Sequence, residues 1–398
     1  MEEWKIKRIE ELSKTTSGGT PSRKNKEYYC GDILWVKSGE LEDNYIIDTE
    51  EKITQDAVKN SSAKLFPKGT ILMAMYGATV GKTAILKKEA TTNQAICGII
   101  PNNDNFNSEF LRYQLIFKRE DFLKQRYGGA QPNISQNIIK KFEVAIPSLP
   151  EQCKIAHVLS TVQKAIEQQD KIIRTTTELK KALMQKLFTE GTRGEPQKET
   201  EIGLVPESWG VVELGKTVDF KTGKLNSNAA DENGIYPFFT CSQETFAINN
   251  YSFDQEAILL SGNNARAIYS VKHYKGKFNA YQRTYVLTIL NEVEYDYTFL
   301  KYVLTRQLEY LRSISIGSQT KYLTLGMLTT LQIQKPDIDE QRKISKSILV
   351  FENKIKIIEK KKQTLTDLFK TLLHELMTEK RRVHELEFEK ENAYTNRT

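Results

Sequence analysis

The sequence predicts an α+β protein in which two strand-rich globular domains are joined by two long antiparallel coiled-coil helices. Three observations lead to this prediction. The phrase Glu-Gln-x-Lys-Ile occurs at residues 151–155 and again at 340–344, which is 189 residues later (340 − 151). Each copy opens a long pattern of apolar residues at spacings of three and four. Each copy also follows a glycine-punctuated stretch of short apolar runs, which is typical of strands and turns.

The repeat holds position by position, so we interpret it before any local motif. At the offset of 189, apolar residues of the first helix match apolar residues of the second: Leu159, Val162, Ile166 and Leu183 match Ile348, Phe351, Ile355 and Leu372. Near the start of each domain the offset becomes 205 (209 − 4), where Trp4, Ile6, Ile9 and Gly18 match Trp209, Val211, Leu214 and Gly223. The domains therefore differ in their loops, which indicates one scaffold with two different recognition surfaces.

The order of these patterns predicts the domain boundaries. We place a first domain at 1–150, a first helix at 151–190, a linker at 191–208, a second domain at 209–336, a second helix at 337–380 and a charged tail at 381–398. A chain of 398 residues is long for a single core, which agrees with two domains. The linker is rich in Gly, Pro and charge, so it can supply the return path between the helices. No role is assigned to the tail.

The two helical stretches carry similar apolar seams. The second seam runs through Ile344, Ile348, Phe351, Ile355, Ile358, Leu365, Phe369, Leu372 and Leu376, with an interruption at Lys362. The first seam is weakened at Gln169, Thr176 and Lys180. A sustained period of 3.5 residues is typical of a coiled coil, and forty helical residues span about 60 Å. We predict antiparallel pairing within the chain, with parallel pairing or homodimerisation as the alternatives.

Composition favours a folded, cytoplasmic protein. Hydrophobic residues make up 39% of the chain and aromatic residues 10%, which supports packed cores. No apolar run approaches the 18 or so residues of a membrane span, and the acidic N-terminus is unlike a signal peptide. The net charge of +7 permits a polyanionic partner without requiring one. The four cysteines lack metal-ligand spacing and are predicted to be buried free thiols.

Two patterns that suggest catalysis are rejected. Residues 77–83, Gly-Ala-Thr-Val-Gly-Lys-Thr, resemble a phosphate-binding loop, but three residues separate the glycines where that loop needs four. Strand-like sequence flanks the segment, so a hairpin turn is predicted instead. Asp337, Glu352 and Lys354 resemble a metal-dependent nuclease set, but they are spread along the second helix, whose first turn suits Asp337. We predict no catalytic, metal-binding or cofactor-binding residues in this chain.

Each domain contains three polar, glycine-bearing loops at matching positions. They lie at residues 76–82, 92–94 and 126–133 in the first domain, and at 261–266, 280–283 and 316–321 in the second. Gln, Asn and Arg can contact base edges, while a backbone beside glycine can approach phosphates. Asn and Gly also suit turns, so the prediction rests on recurrence. The candidate DNA-binding residues are Lys82, Asn93, Gln94, Arg126, Gln131 and Asn133 in the first domain, and Asn263, Asn264, Arg266, Gln282, Arg283, Gln319 and Lys321 in the second.

The chain resembles the specificity subunit of a type I restriction-modification system. The resemblance rests on the repeated Glu-Gln-x-Lys-Ile helix starts, the Gly-Ala-Thr-Val-Gly turn, the linker sequence Glu-Ile-Gly-Leu-Val-Pro-Glu-Ser-Trp at 201–209 and the two-unit layout. It implies two target-recognition domains separated by spacer helices, each domain reading one half of a split DNA site. The helix length would set the gap between the halves, roughly one to two turns of duplex.

The resemblance also implies partners and their cofactors. Two methyltransferase (modification) subunits would bring S-adenosylmethionine, and restriction/motor subunits would bring ATP and Mg²⁺, all acting on double-stranded DNA. This chain would be non-catalytic, since the methyltransferase would flip the target adenine out of the duplex. Two alternatives stay open. One is a coiled-coil scaffold that binds no DNA, and the other is a stand-alone nuclease that uses Asp337, Glu352 and Lys354.

Overall fold

The computed structural model describes residues 3–102, 106–124 and 133–383. The chain divides into two compact units, residues 1–170 with 360–398 and residues 171–359. Each unit contains one strand-rich domain and about half of each long helix. No helix in the described ranges is both long and apolar enough to cross a membrane.

The first domain consists of short strands and helices that precede the first long helix. Its strands are β1 (Lys5–Arg8), β2 (Ser13–Ser17), β3 (Ile33–Val36), β4 (Asn44–Ile46), β5 (Glu51–Ile53), β6 (Leu65–Phe66), β7 (Ile71–Ala74), β8 (Thr83–Leu86), β9 (Ala90–Thr92), β10 (Ile96–Pro101) and β11 (Glu143–Ile146). Its helices are α1 (Ile9–Leu12), α2 (Gln55–Lys59), α3 (Ser108–Phe117), α4 (Arg119–Lys124) and α5 (Gln136–Lys141).

Two sheets and a set of helices form the layers of the first domain. One sheet has the strand order β2-β10-β7-β8-β4 and the other β5-β3-β9-β6, while β1 pairs with β11. On β7, Ile71 and Met73 belong to the core shared with α3, α4 and α5, whereas Leu72 and Ala74 belong to the core shared with β3, β6 and β9. The middle sheet is therefore buried on both faces, which explains why β7 is apolar at every position.

The second domain repeats this plan with longer strands. Its strands are β12 (Gln197–Thr200), β13 (Gly203–Pro206), β14 (Gly210–Glu213), β15 (Val218–Thr222), β16 (Tyr236–Phe239), β17 (Phe246–Ile248), β18 (Phe253–Ser261), β19 (Asn263–Asn264), β20 (Val271–Ala280), β21 (Thr284–Ile289), β22 (Lys321–Tyr322) and β23 (Gln332–Lys335). Three short helices follow β21: α7 (Tyr297–Arg306), α8 (Leu308–Ile314) and α9 (Leu325–Thr329). The main sheet has the order β15-β21-β18-β20-β16-β17, and β14 pairs with β23 as β1 pairs with β11.

The long helices are α6 (Leu149–Glu190) and α10 (Ile338–Met377). In the first unit, Ile155 and Leu159 near the start of α6 lie in one apolar cluster with Leu372 and Leu376 near the end of α10. In the second unit the reverse holds: Phe188 near the end of α6 shares a cluster with the start of α10. The helices therefore run antiparallel in each unit, as the seams predicted.

The two lysines that interrupt the seams, Lys362 and Lys180, form ion pairs. Lys362 donates to Asp170 at 2.6 Å within the first unit. Lys180 and Lys301 both pair with Glu352, at 3.1 and 3.0 Å, within the second. These positions lower the apolar content of the seam, but each charge has an opposite charge beside it, which offsets part of the cost of partial burial.

The linker contains an ordered β-hairpin. Strands β12 and β13 pair antiparallel, from Gln197 opposite Pro206 to Thr200 opposite Gly203. Val205 is fully buried in the core of the second domain. This apolar residue ties the segment to the domain because its burial removes a whole valine side chain from water.

Candidate DNA interface

Three backbone segments that adjoin candidate loops of the first domain meet at Met75, the residue after β7. The Met75 N–H donates to the carbonyl of Ala95 at 2.8 Å, and the Met75 carbonyl accepts from the Ile134 N–H at 2.7 Å. These two hydrogen bonds tie the loop after β7 to the loop after β9 and to the segment before α5. Segments far apart in sequence thus converge at one end of the domain.

Gly262 makes the same two hydrogen bonds in the second domain. Its N–H donates to the Arg283 carbonyl at 2.8 Å, and its carbonyl accepts from the Leu323 N–H at 2.8 Å. A Cβ added to Gly262 would lie 2.5 Å from the Arg283 carbonyl oxygen, so only glycine permits this approach. Strands β19 and β22 then place Asn264 directly opposite Lys321. The same pair of backbone hydrogen bonds therefore recurs at matching positions of the two domains.

The Gly-Ala-Thr-Val-Gly segment is the hairpin turn that its spacing predicted. Strands β7 and β8 pair antiparallel on either side of it, with Ile71 opposite Ile85. Gly77 and Gly81 have φ angles of +88° and +80°, which lie in the region that glycine adopts without steric cost. The Thr79 hydroxyl donates to the Ser38 carbonyl at 2.7 Å, so the turn is held against the segment after β3.

The candidate side chains differ in exposure. Gln94, Asn133, Arg266, Gln282, Arg283 and Gln319 are exposed, while Lys82, Asn93, Asn263, Asn264 and Lys321 are partly buried. Arg126 and Gln131 lie outside the described residues. The Asn93 side-chain oxygen accepts from the Ala95 N–H at 3.2 Å, and the Asn264 oxygen accepts from the Arg266 N–H at 2.8 Å. These two asparagines therefore also shape their own turns, as their residue type suggested.

A fourth loop in each domain was missed from the sequence. A Cβ added to Gly18 would lie 2.3 Å from the Thr92 carbonyl oxygen, and one added to Gly223 would lie 1.8 Å from that of Ala280. Each glycine thus brings the segment after it against the second candidate loop. The signal was present, because these glycines match at the offset of 205. Thr20 and Asn226 are the side chains that this placement adds to the site.

The nuclease set is dispersed. Asp337 accepts from the Glu340 N–H at 3.0 Å and so caps the start of α10. Glu352 stands fifteen residues further along the helix, which is about 22 Å at 1.5 Å per residue. The three side chains of that set therefore do not converge. Among the described residues, no group of three or more His, Cys, Asp or Glu side chains could hold a metal ion.

The cysteines differ from the prediction in their burial. All four are free thiols, but only Cys97 is buried, while Cys30 and Cys153 are exposed and Cys241 is intermediate. Burial raises the pKa of the Cys97 thiol to about 12. The prediction that all four are buried is wrong for three of them, because the spacing of cysteines along the chain carries no information on the burial of a single side chain.

The match to known proteins agrees with this geometry. The family model described as the type I restriction modification DNA specificity domain matches residues 1–175 and again residues 206–367. The chain therefore belongs to this family, and the two matched segments are the two copies of the internal repeat. The resemblance seen in the sequence is confirmed. The scaffold and stand-alone nuclease alternatives gain no support.

Individual relatives bear the same description. The chain is 36% identical over 255 residues to the type I restriction enzyme MjaIX specificity subunit of Methanocaldococcus jannaschii, a match that covers 59% of this chain and 57% of that protein. It is 27% identical over 416 residues to the MjaVIII specificity subunit of the same organism, covering 97% and 95%. The chain thus spans little more than half of the first relative and nearly all of the second.

A solved structure shares the fold. The type I restriction-modification S subunit from M. genitalium superimposes with a TM-score of 0.67 at 19% identity, covering 94% of this chain and 96% of that one. At this identity the likeness establishes the fold: two strand-rich domains with two long helices.

Proposed function

We propose that this chain is the DNA-sequence-recognition subunit of a type I restriction-modification complex, with each globular domain reading one half of a bipartite site. The observation that carries the proposal is the shared backbone frame around Met75 and Gly262. Both domains make the same backbone hydrogen bonds there, and the adjoining candidate loops carry different polar side chains. Two copies of one frame with different side chains suit two different half-sites.

The exposed candidates supply suitable chemistry for reading bases. Arg266, Arg283, Gln94 and Gln282 carry the guanidinium and amide groups that contact guanine and adenine edges in the major groove. Lys82 and Lys321 carry charges suited to phosphates, which position a protein on the duplex. The mild net charge of +7 is compatible with this role when partner subunits share the phosphate contacts.

The chemistry would belong to the partners. Two methyltransferase subunits would supply S-adenosylmethionine and modify adenine, and restriction/motor subunits would supply ATP and Mg²⁺. This chain would act in the cytoplasm without a catalytic residue of its own, by bringing those subunits to one DNA sequence. The spacer helices would hold the two readers in one complex.

The test is adenine-methylation mapping in cells that carry a compatible methyltransferase subunit, with and without this chain. We expect a new methylated motif that depends on this chain and has two short defined halves around an unspecified gap. Copurification of the two proteins serves as the control for assembly. An assembled complex that adds no new motif would overturn the proposal.

A further inference from the structure

An exposed glutamine in each domain is held by a side chain of the fourth loop. In the first domain, the Thr20 hydroxyl donates to the Oε1 atom of Gln94. In the second domain, the Nε2 atom of Gln282 donates to Oδ1 of Asn226 at 2.8 Å. The two glutamines occupy matching loops, so the contact recurs, but the bonded atom of the amide is reversed.

The backbone on both sides of each contact is fixed. Gly19 donates its N–H to the Thr92 carbonyl at 2.8 Å, and Gln282 donates its N–H to the Leu225 carbonyl at 2.9 Å. Backbone hydrogen bonds therefore hold the two loops together beside each side-chain contact. The side chains of Gln94 and Gln282 are exposed, so their remaining polar atoms are open to a ligand.

The Asn226 side chain bonds Gln282 and does not cap the helix that follows it. It stands at the N-cap of a short 3₁₀ helix, Ser227–Ala229, but its side chain makes no capping hydrogen bond. Asn25 is also the N-cap of a 3₁₀ helix, Lys26–Tyr29, and its side chain does accept from the Glu27 N–H, at 3.2 Å. Asparagine is favoured at such positions because of that capping bond. The Asn226 oxygen instead orients Gln282.

We propose that Thr20 and Asn226 are positioning residues that set the amides of Gln94 and Gln282 in opposite senses and so give the two domains different base preferences. The inference rests on the proposed function. With its oxygen held by Thr20, Gln94 presents both N–H donors, which suit the acceptors O6 and N7 of guanine or O4 of thymine. With one N–H held by Asn226, Gln282 presents its oxygen and the other N–H, which suit the N6 donor and N7 acceptor of adenine.

The first test compares Thr20→Val with Thr20→Ser. Valine keeps the shape of the side chain and removes the hydroxyl donor, whereas serine keeps the donor. The full chain with its methyltransferase partner would be selected on a duplex library in which both half-sites are randomised. We expect Thr20→Val to lose roughly fivefold or more of base discrimination at one position of one half-site. Thr20→Ser should retain the wild-type preference.

The second test uses Asn226→Leu and Asn226→Asp in the other domain. Leucine removes the acceptor, while aspartate keeps an oxygen at the same place. Asn226→Leu should weaken discrimination at one position of the other half-site, and Asn226→Asp should preserve the preferred base, with lower affinity for all duplexes because a negative charge is added. A purely structural role would change affinity or thermal stability without changing which base is preferred.

The outcomes separate this inference from the proposed function. A wild-type complex that selects no sequence would overturn both. A selective wild-type complex whose preference is unchanged in Thr20→Val and Asn226→Leu would overturn the positioning role alone. Equal loss at both half-sites, from either variant, would also overturn it. If one of these variants fails to fold, the variant in the other domain still decides, because each contact lies within its own domain.

Discussion

Gln152 and Gln341, which stand 189 residues apart, hold the first turns of the two long helices by the same pair of hydrogen bonds. The Gln152 amide donates to the Pro147 carbonyl at 2.9 Å and accepts from the Asn107 N–H at 3.0 Å. Gln341 makes the matching bonds, to Pro336 at 2.9 Å and from Asp296 at 2.8 Å. Asn107 and Asp296 are the N-caps of α3 and α7. The glutamine of the repeated phrase therefore attaches the start of each long helix to a helix of its own domain, a contact called the clamp below.

Replacing Gln341 with leucine should destabilise the second unit. Gln341 is fully buried, and the change leaves the Asp296 N–H and the Pro336 carbonyl without this partner. Unpaired buried polar groups cost about 1–3 kcal/mol each, so we expect a loss of about 2–4 kcal/mol in the free energy of unfolding. Urea unfolding followed by circular dichroism would measure it.

The matched control is Gln363→Leu on the same helix. Gln363 is exposed and donates to Asp367 one turn away, so its replacement should change stability by less than about 0.5 kcal/mol. Equal effects of the two substitutions would contradict the clamp.

The ion pairs of Glu352 should make the second unit sensitive to acid. Burial opposes ionisation of this carboxyl, but Lys301 and Lys180 outweigh it and hold its pKa below the ordinary value. A lowered folded-state pKa contributes stability above the unfolded-state pKa of about 4.3, and the contribution is lost as pH falls through the folded-state value. Glu352→Gln should therefore be less stable at pH 7, by about 1–3 kcal/mol, and the difference from wild type should shrink below about pH 4.

Thermal unfolding at pH 7, 5, 4 and 3 would measure the effect of Glu352→Gln. Glu359→Gln, at an exposed position of the same helix, is the control and should differ little from wild type at each pH. A deficit of Glu352→Gln that grows in acid would show that the sign is wrong.

The thiols should react in an order that follows their burial. Cys30 and Cys153 are exposed, whereas the buried Cys97 has a pKa raised to about 12, so almost no thiolate forms there at neutral pH. Treatment of the native protein with N-ethylmaleimide, followed by peptide mass spectrometry, should modify Cys30 and Cys153 first. Cys97 should react only in denaturant. Early labelling of Cys97 in the native protein would contradict the packing of β10.

Arg266→Ala should relax recognition at the second domain's half-site only. The Arg266 side chain is exposed on the loop that begins at Gly262, and a bidentate arginine contact is worth about 1–3 kcal/mol of discrimination. Methylation mapping of the variant complex would show a degenerate position in one half and an unchanged other half. Lys216→Ala removes one charge from the same domain outside the loops and serves as the control. Equal loss in both halves would exclude a base contact by Arg266.

The sequence predicted the elements that depend on local periodicity and spacing. The apolar seams predicted two antiparallel helices, and the structure places Leu159 with Leu372 in one cluster. Three residues between Gly77 and Gly81 excluded a phosphate loop and predicted the turn between β7 and β8. The docking of the linker was not part of the prediction, because it depends on the single buried side chain of Val205. Composition over eighteen residues does not reveal one such contact.

By itself, the sequence determined that this protein is a duplicated unit with two similar helices and two divergent domains. It also indicated the family to which the chain belongs. These properties repeat along the chain, so spacing and periodicity reveal them. Only the tertiary structure showed that Thr20 meets Gln94 across 74 residues and that Asn226 meets Gln282 across 56. It also showed which atom of each amide makes the contact, Oε1 of Gln94 and Nε2 of Gln282. Hydrogen-bond direction depends on distances and angles between loops, and residue types along a chain do not specify them.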